Sequence, residues 1–70
     1  MEEYQERLLK ETRETATRLN GLNKFMAGDF FPTLDREKKD LFYEQQRVMS
    51  RYVQILGKRL ELEKIEFSHK

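Results

Sequence analysis

The sequence predicts an all-α protein, an antiparallel two-helix hairpin that assembles into a homo-oligomeric helical bundle. Three observations carry that expectation. Two long stretches place apolar residues at helical spacing, a short break between them holds the only proline, and the second stretch carries more apolar surface than one partner helix can cover. Residues 1-70 read as a single domain, with a helix over about 2-27, a loop over about 28-35, a helix over about 36-64 and a short tail.

The first stretch is built of good helix formers, with one glycine and no proline. Tyr4, Leu8, Thr12, Thr15, Leu19, Leu22 and Met26 recur at steps of four and three, which aligns them on one stripe. Glu2, Glu3 and Glu6 lie at its start, where the positive end of the helix dipole favours carboxylates. Gly28 is expected to stop the helix in a left-handed conformation, and Pro32 restricts Phe31 to extended geometry. Asp35 stands where a second helix needs its N-cap.

The second stretch carries two adjacent seams. Leu41, Gln45, Val48, Tyr52, Ile55, Arg59 and Leu62 form the first; Phe42, Met49, Val53, Leu56 and Leu60 form the second. The first seam is expected to pack on helix 1, with Leu22 near Leu41, Thr15 near Val48 and Leu8 near Ile55. The second is then left for other protomers. Burying one Leu, Val, Phe or Met side chain is worth about 1.5–3 kcal/mol, against a total of about 5–15 kcal/mol for a small domain, so association is the economical outcome. Gly57 costs about 1 kcal/mol relative to alanine and marks either a close helix crossing or a bend.

Composition narrows the function classes. Lys plus Arg at 14 against Asp plus Glu at 13 leaves a formal charge of +1, without the basic excess of a general nucleic-acid binder. Cysteine is absent and His69, near the chain end, is the only histidine, so neither a disulfide nor a metal staple is available and self-association is the remaining support. Glu11 and Glu14 share a helix face without the Glu-x-x-His pattern of di-metal bundles. Ser50 and Ser68 lack a positioned base, and no phosphate-binding glycine loop occurs. The expectation is a protein that is not an enzyme and carries no cofactor or metal. No apolar run approaches the roughly 18 residues of a membrane span, and the start does not read as a secretory signal, which predicts a soluble, cytoplasmic protein with no membrane partner.

Two clusters are candidate binding sites. Arg47, Arg51, Lys58 and Arg59 occur in a stretch without one acidic residue, and Arg47 and Arg51 share a face with Tyr43 one turn earlier and Ser50 adjacent. Guanidinium groups grip phosphates bidentately and stack on planar rings, so Tyr43, Arg47, Ser50 and Arg51 form a candidate site for an anionic nucleotide. The alternative is that these cations pair with Glu3, Glu6, Glu11 and Glu14 of helix 1. The second cluster, Phe25, Phe30 and Phe31 with Met26 and Leu34, either caps the hairpin core or meets a partner protein. The candidate partner-binding set is Phe25, Phe30 and Phe31 together with the second seam, Phe42, Met49, Val53, Leu56 and Leu60. Ile65 and Phe67 in the tail are apolar enough to dock on a neighbour.

Tyr4-Gln5-Glu6-Arg7-Leu8-Leu9, Leu19-x-x-Leu22-x-x-Phe25, Phe31-x-x-Leu34 and Gln45-x-x-x-Met49-x-x-Tyr52-x-x-x-Leu56 resemble a family of short uncharacterised bacteriophage two-helix hairpin proteins from crAss-like and Gram-positive phages. The resemblance covers most of residues 4 to 60. It implies a phage accessory protein acting in the cytoplasm of the bacterial host, where it counters a host defence without catalysis. One mechanism is a sponge, an oligomer whose interprotomer pockets sequester a nucleotide immune signal, with Tyr43, Arg47, Ser50 and Arg51 as ligand groups. Another is an anti-CRISPR-like inhibitor that binds a host defence protein through the Phe25 to Leu34 tip or acidic helix 1. A plain structural coiled-coil oligomerisation module is the third.

Overall fold

The computed structural model describes residues 2–65. The expectations placed on Phe67, Ser68 and His69 lie outside the described residues. The chain forms helix α1 (Glu3–Met26), one 3-10 turn (Phe31–Thr33) and helix α2 (Arg36–Leu62), with no strand among the described residues. The two helices run antiparallel, because side-chain hydrogen bonds join Tyr4 to Glu63, Glu11 to Tyr52 and Asn23 to Gln46. The hairpin is slender, 46 × 19 × 15 Å.

Local chemistry sets the helix ends. At the start of α1 the Glu2 backbone N–H donates to Gln5 Oε1 at 3.0 Å, satisfying one donor that the helix cannot. Its end differs from expectation, because no glycine has positive φ. Ala27 closes α1 in right-handed geometry and the Gly28 N–H donates to the Phe25 carbonyl at 3.1 Å, so a tight turn feeding Pro32 ends the helix. Asp35 caps α2, accepting the Lys38 N–H at 3.0 Å. The left-handed residue lies at the other end of the hairpin: Lys64, at φ 58°, follows the α2 cap. The Ile65 N–H reaches the Leu60 carbonyl at 2.9 Å and the Lys64 N–H reaches Glu61 at 3.0 Å, the paired bonds of a Schellman stop. This stop folds Ile65 back onto the hairpin's own core.

The core reverses the expected use of the two α2 seams. Leu56 and Leu60 are each 1% exposed and cluster with Leu8, flanked by Leu9 and Ile65, while Leu41 and Leu62 are 66% and 83% exposed. Val48, Tyr52 and Ile55 are also exposed, and Phe42, Met49 and Val53 are half-buried. The seam that packs on α1 is therefore Phe42, Met49, Val53, Leu56 and Leu60, which had been assigned to other protomers. The physical reason is polarity. The polar residue on that side, half-buried Gln46, is satisfied by Asn23 across the helices, whereas the other seam would have carried Gln45 and Arg59 into a dry interface at a desolvation cost. On α1 the facing surface is small: Thr12, Thr15 and Ala16 are buried beside Leu8. Thr12 Oγ1 donates to the Leu8 carbonyl at 2.7 Å and Thr15 Oγ1 to Glu11 Oε2 at 3.2 Å, so neither buried hydroxyl is orphaned. Gly57 does not mark a close crossing, since a Cβ added there would meet nothing within 4 Å.

At the tip, Phe31 is 4% exposed and ringed by Phe25, Phe42 and Tyr43 at centroid distances of 6.2, 5.9 and 5.4 Å. These near-perpendicular contacts suit the aromatic quadrupole. Phe31 is thus a core residue of the hairpin. Phe30 is 63% exposed and touches only the edge of the cluster, with its centroid 6.1 Å from Phe25.

Candidate ligand face

One broad face of the hairpin gathers Arg7, Arg47, Arg51 and Arg59 with Tyr4 and Tyr52. On α2, Val48, Tyr52 and Ile55 floor an open apolar groove of about 600 Å³ whose rim is Arg47 and Arg51. The α-helical period places Arg47 and Arg51 one turn apart on the flank of this stripe that points away from α1. Tyr52 also lines a second depression of about 300 Å³ between the helices, shared with Tyr4, Arg7, Leu8, Glu11, Leu56 and Arg59. Tyr52 is the residue the two depressions share.

The cations do not pair with α1. Among the described residues no carboxylate lies within 4.0 Å of Arg47, Arg51, Lys58 or Arg59; the ion pairs are Arg7 with Glu3 and Arg36 with Asp40, both on the surface. Arg51 Nη1 makes one long contact with Gln54 Oε1 at 3.5 Å. Of the acids expected to neutralise α2, Glu3 pairs with Arg7 on its own helix and Glu11 accepts from a tyrosine. Tyr52 Oη donates to Glu11 Oε2 at 3.1 Å, and at the open end Tyr4 Oη and Gln5 Nε2 donate to Glu63 Oε1 at 2.7 and 2.9 Å. Each helix contributes one tyrosine and one carboxylate to these clasps. The hydrogen bonds to glutamate hold both phenols above their ordinary value, and those from Tyr4 and Gln5 hold the Glu63 carboxyl below its own.

Of the four residues proposed for an anionic ligand, Arg47 and Arg51 share the groove and the other two do not. Tyr43 packs edge-on against Phe31 at the tip, and half-buried Ser50 does not line the groove. Sequence reasoning missed Arg7 and undervalued Tyr52, which it placed in the core. The signal was present in the first seam, whose polar members Gln45 and Arg59 mark it as the wet side of α2.

Chemically, the face offers guanidinium groups for phosphate or carboxylate oxygens, an apolar floor and an aromatic ring for a planar group. Among the described residues no group of three or more His, Cys, Asp or Glu side chains is placed to hold a metal, and no helix is long and apolar enough to cross a membrane. A family model described as Sequestin matches residues 2–62. No curated protein and no solved structure matches the chain.

Proposed function

Because the chain belongs to the Sequestin family, we propose that it is a non-enzymatic phage accessory protein that counters a host defence by sequestering a nucleotide immune signal in pockets between protomers. The family's name denotes sequestration, and a sequestering protein needs a binding face and no catalytic group. The observation that carries the nucleotide reading is the Arg47–Arg51 rim, without a carboxylate partner among the described residues, above an apolar floor that ends in Tyr52. Phosphates on the rim and a base against the ring would satisfy both halves of the groove. An open groove on one helix shields a ligand poorly, which is why the pocket is placed between protomers.

Isothermal titration with cyclic and ADP-ribose-derived nucleotides tests the reading on wild type, Arg47→Ala and Arg51→Ala. Loss of one charge-assisted contact, about 1.5–3 kcal/mol, weakens binding by roughly tenfold or more. Absence of heat with every nucleotide removes the proposal.

Exposed Phe30 beside Phe25 favours a second reading, inhibition of a host defence protein by direct contact at the tip. Phe30→Asp then abolishes capture of that protein while the helices persist. Phe31→Asp cannot serve as this test, because Phe31 is core.

A further inference from the structure

We propose that the exposed stripe of α2 is covered by a second copy of this chain, packed antiparallel about a twofold axis that passes between Arg51 and Tyr52. Leu41, Val48, Ile55 and Leu62 recur every seven residues along about 32 Å of helix, and all four are exposed. A hairpin whose buried core cluster is Leu8, Leu56 and Leu60 leaves much of its apolar surface in this stripe. Turned about that axis, the stripe matches itself: Leu41 meets the partner's Leu62 and Val48 meets the partner's Ile55.

Charge selects the direction. The same register sets Glu44, on the outer flank of the stripe, beside the partner's Lys58, and symmetry makes that pair twice. A parallel copy offers no such match, because at the level of Glu44 it presents Leu41, Gln45 and Val48. The antiparallel axis also has a consequence for the ligand face. It brings Arg47 and Arg51 of both copies onto one flank, with the two Arg51 backbones nearly level across an interaxial distance of about 8–10 Å. Four guanidiniums converge there, which opposes association until an anion lies among them. The dimer deepens the sequestration reading by moving the ligand from the open groove, whose Val48 and Ile55 floor the partner covers, to the four-guanidinium flank beside it, and it rests on the stripe independently of any nucleotide.

The chain has no cysteine, so engineered ones report alone. Val48→Cys and Ile55→Cys both lie on the exposed face, and circular dichroism verifies that each variant stays helical. Mixed and oxidised without nucleotide, the two variants are expected to form a heterodisulfide. Each alone should not, because like positions sit about 10 Å apart along the axis, beyond disulfide reach. Crosslinking of Val48→Cys with itself, or no heterodisulfide in the mixture, overturns the arrangement. By sedimentation, Glu44→Lys weakens the dimer, and adding Lys58→Glu restores it; failure of rescue overturns the register. Arg51→Gln tightens association severalfold at low salt, and an unchanged constant would mean that the guanidiniums do not converge. None of these measurements involves nucleotide, so a failed titration and a failed dimer are told apart.

Discussion

Tyr4 Oη donates to Glu63 Oε1 at 2.7 Å, joining the first turn of α1 to the residue that caps α2. The bond requires a protonated phenol and an ionised carboxylate, so it fails at both extremes of pH. The Glu63 carboxyl is held below its ordinary 4.5 by hydrogen bonds from Tyr4 and Gln5, so its contribution is complete above that pH and is lost as pH falls through the depressed value. Tyr4 is held above its ordinary 10.0 by the bond to Glu63, so its contribution is complete below pH 10 and is lost as pH rises through the raised value. Thermal melts should therefore show a plateau between about pH 4.5 and 10. Tyr4→Phe lowers the plateau and softens both shoulders, and Glu63→Gln removes the acid one. An acid limb unchanged by Tyr4→Phe would contradict this assignment.

Lys64 holds a left-handed conformation that costs a side-chain-bearing residue about 1–2 kcal/mol and costs glycine little. Lys64→Gly is expected to raise stability by about 1 kcal/mol, or roughly 4–8 °C in Tm for a domain of this size. Differential scanning calorimetry reads the shift.

Gly57 lies inside α2 with open space around its missing Cβ. Gly57→Ala should stabilise by about 1 kcal/mol through helix propensity and the loss of unfolded-state freedom. Had the glycine served a close crossing, the same substitution would destabilise, so the sign of the change in a urea titration decides between the two.

The exchanged seams predict unequal costs along one helix. Leu56→Ala removes a buried leucine and should cost about 2–5 kcal/mol, enough to unfold much of a marginal hairpin. Leu41→Ala in dilute solution should move stability by no more than about 0.5 kcal/mol. Circular dichroism melts at low concentration separate them, and equal losses would return Leu41 to the intramolecular core.

The tip gives a parallel contrast. Phe31→Ala should cost about 3–5 kcal/mol and Phe30→Ala little, although the two are neighbours in sequence. Near-ultraviolet dichroism, sensitive to the packed rings, should collapse in the first variant and persist in the second.

Helical period, the single proline-bearing break and the Asp35 cap were legible in the sequence because each acts within a few residues. Which α2 seam faces α1 was not read correctly, since counting apolar positions gave both seams equal claim. The deciding quantity was the cost of burying Gln45 and Arg59, visible only when polar members are weighed against apolar ones. Arg47 and Arg51 were recognisable as a shared-face pair, but Tyr43 was misplaced because the pull of Phe31 on its ring arises from a turn that spacing does not describe. The fate of Glu11 was hidden for a similar reason. Net charge invites pairing with arginine, while the antiparallel register delivers tyrosine hydroxyls first.

Thr12 sits fully buried with its hydroxyl turned back on the Leu8 carbonyl. To the helix that approaches it, this polar residue behaves as a hydrocarbon: the oxygen is occupied locally and the methyl is the group left for packing. The Leu8 carbonyl also belongs to the helical ladder, so losing the hydroxyl would strand no acceptor. Valine, which keeps the branched shape, is accordingly the replacement the site accepts. Serine, which keeps the hydroxyl and drops the methyl, opens a void at a fully buried position, so volume and not polarity is what this position selects.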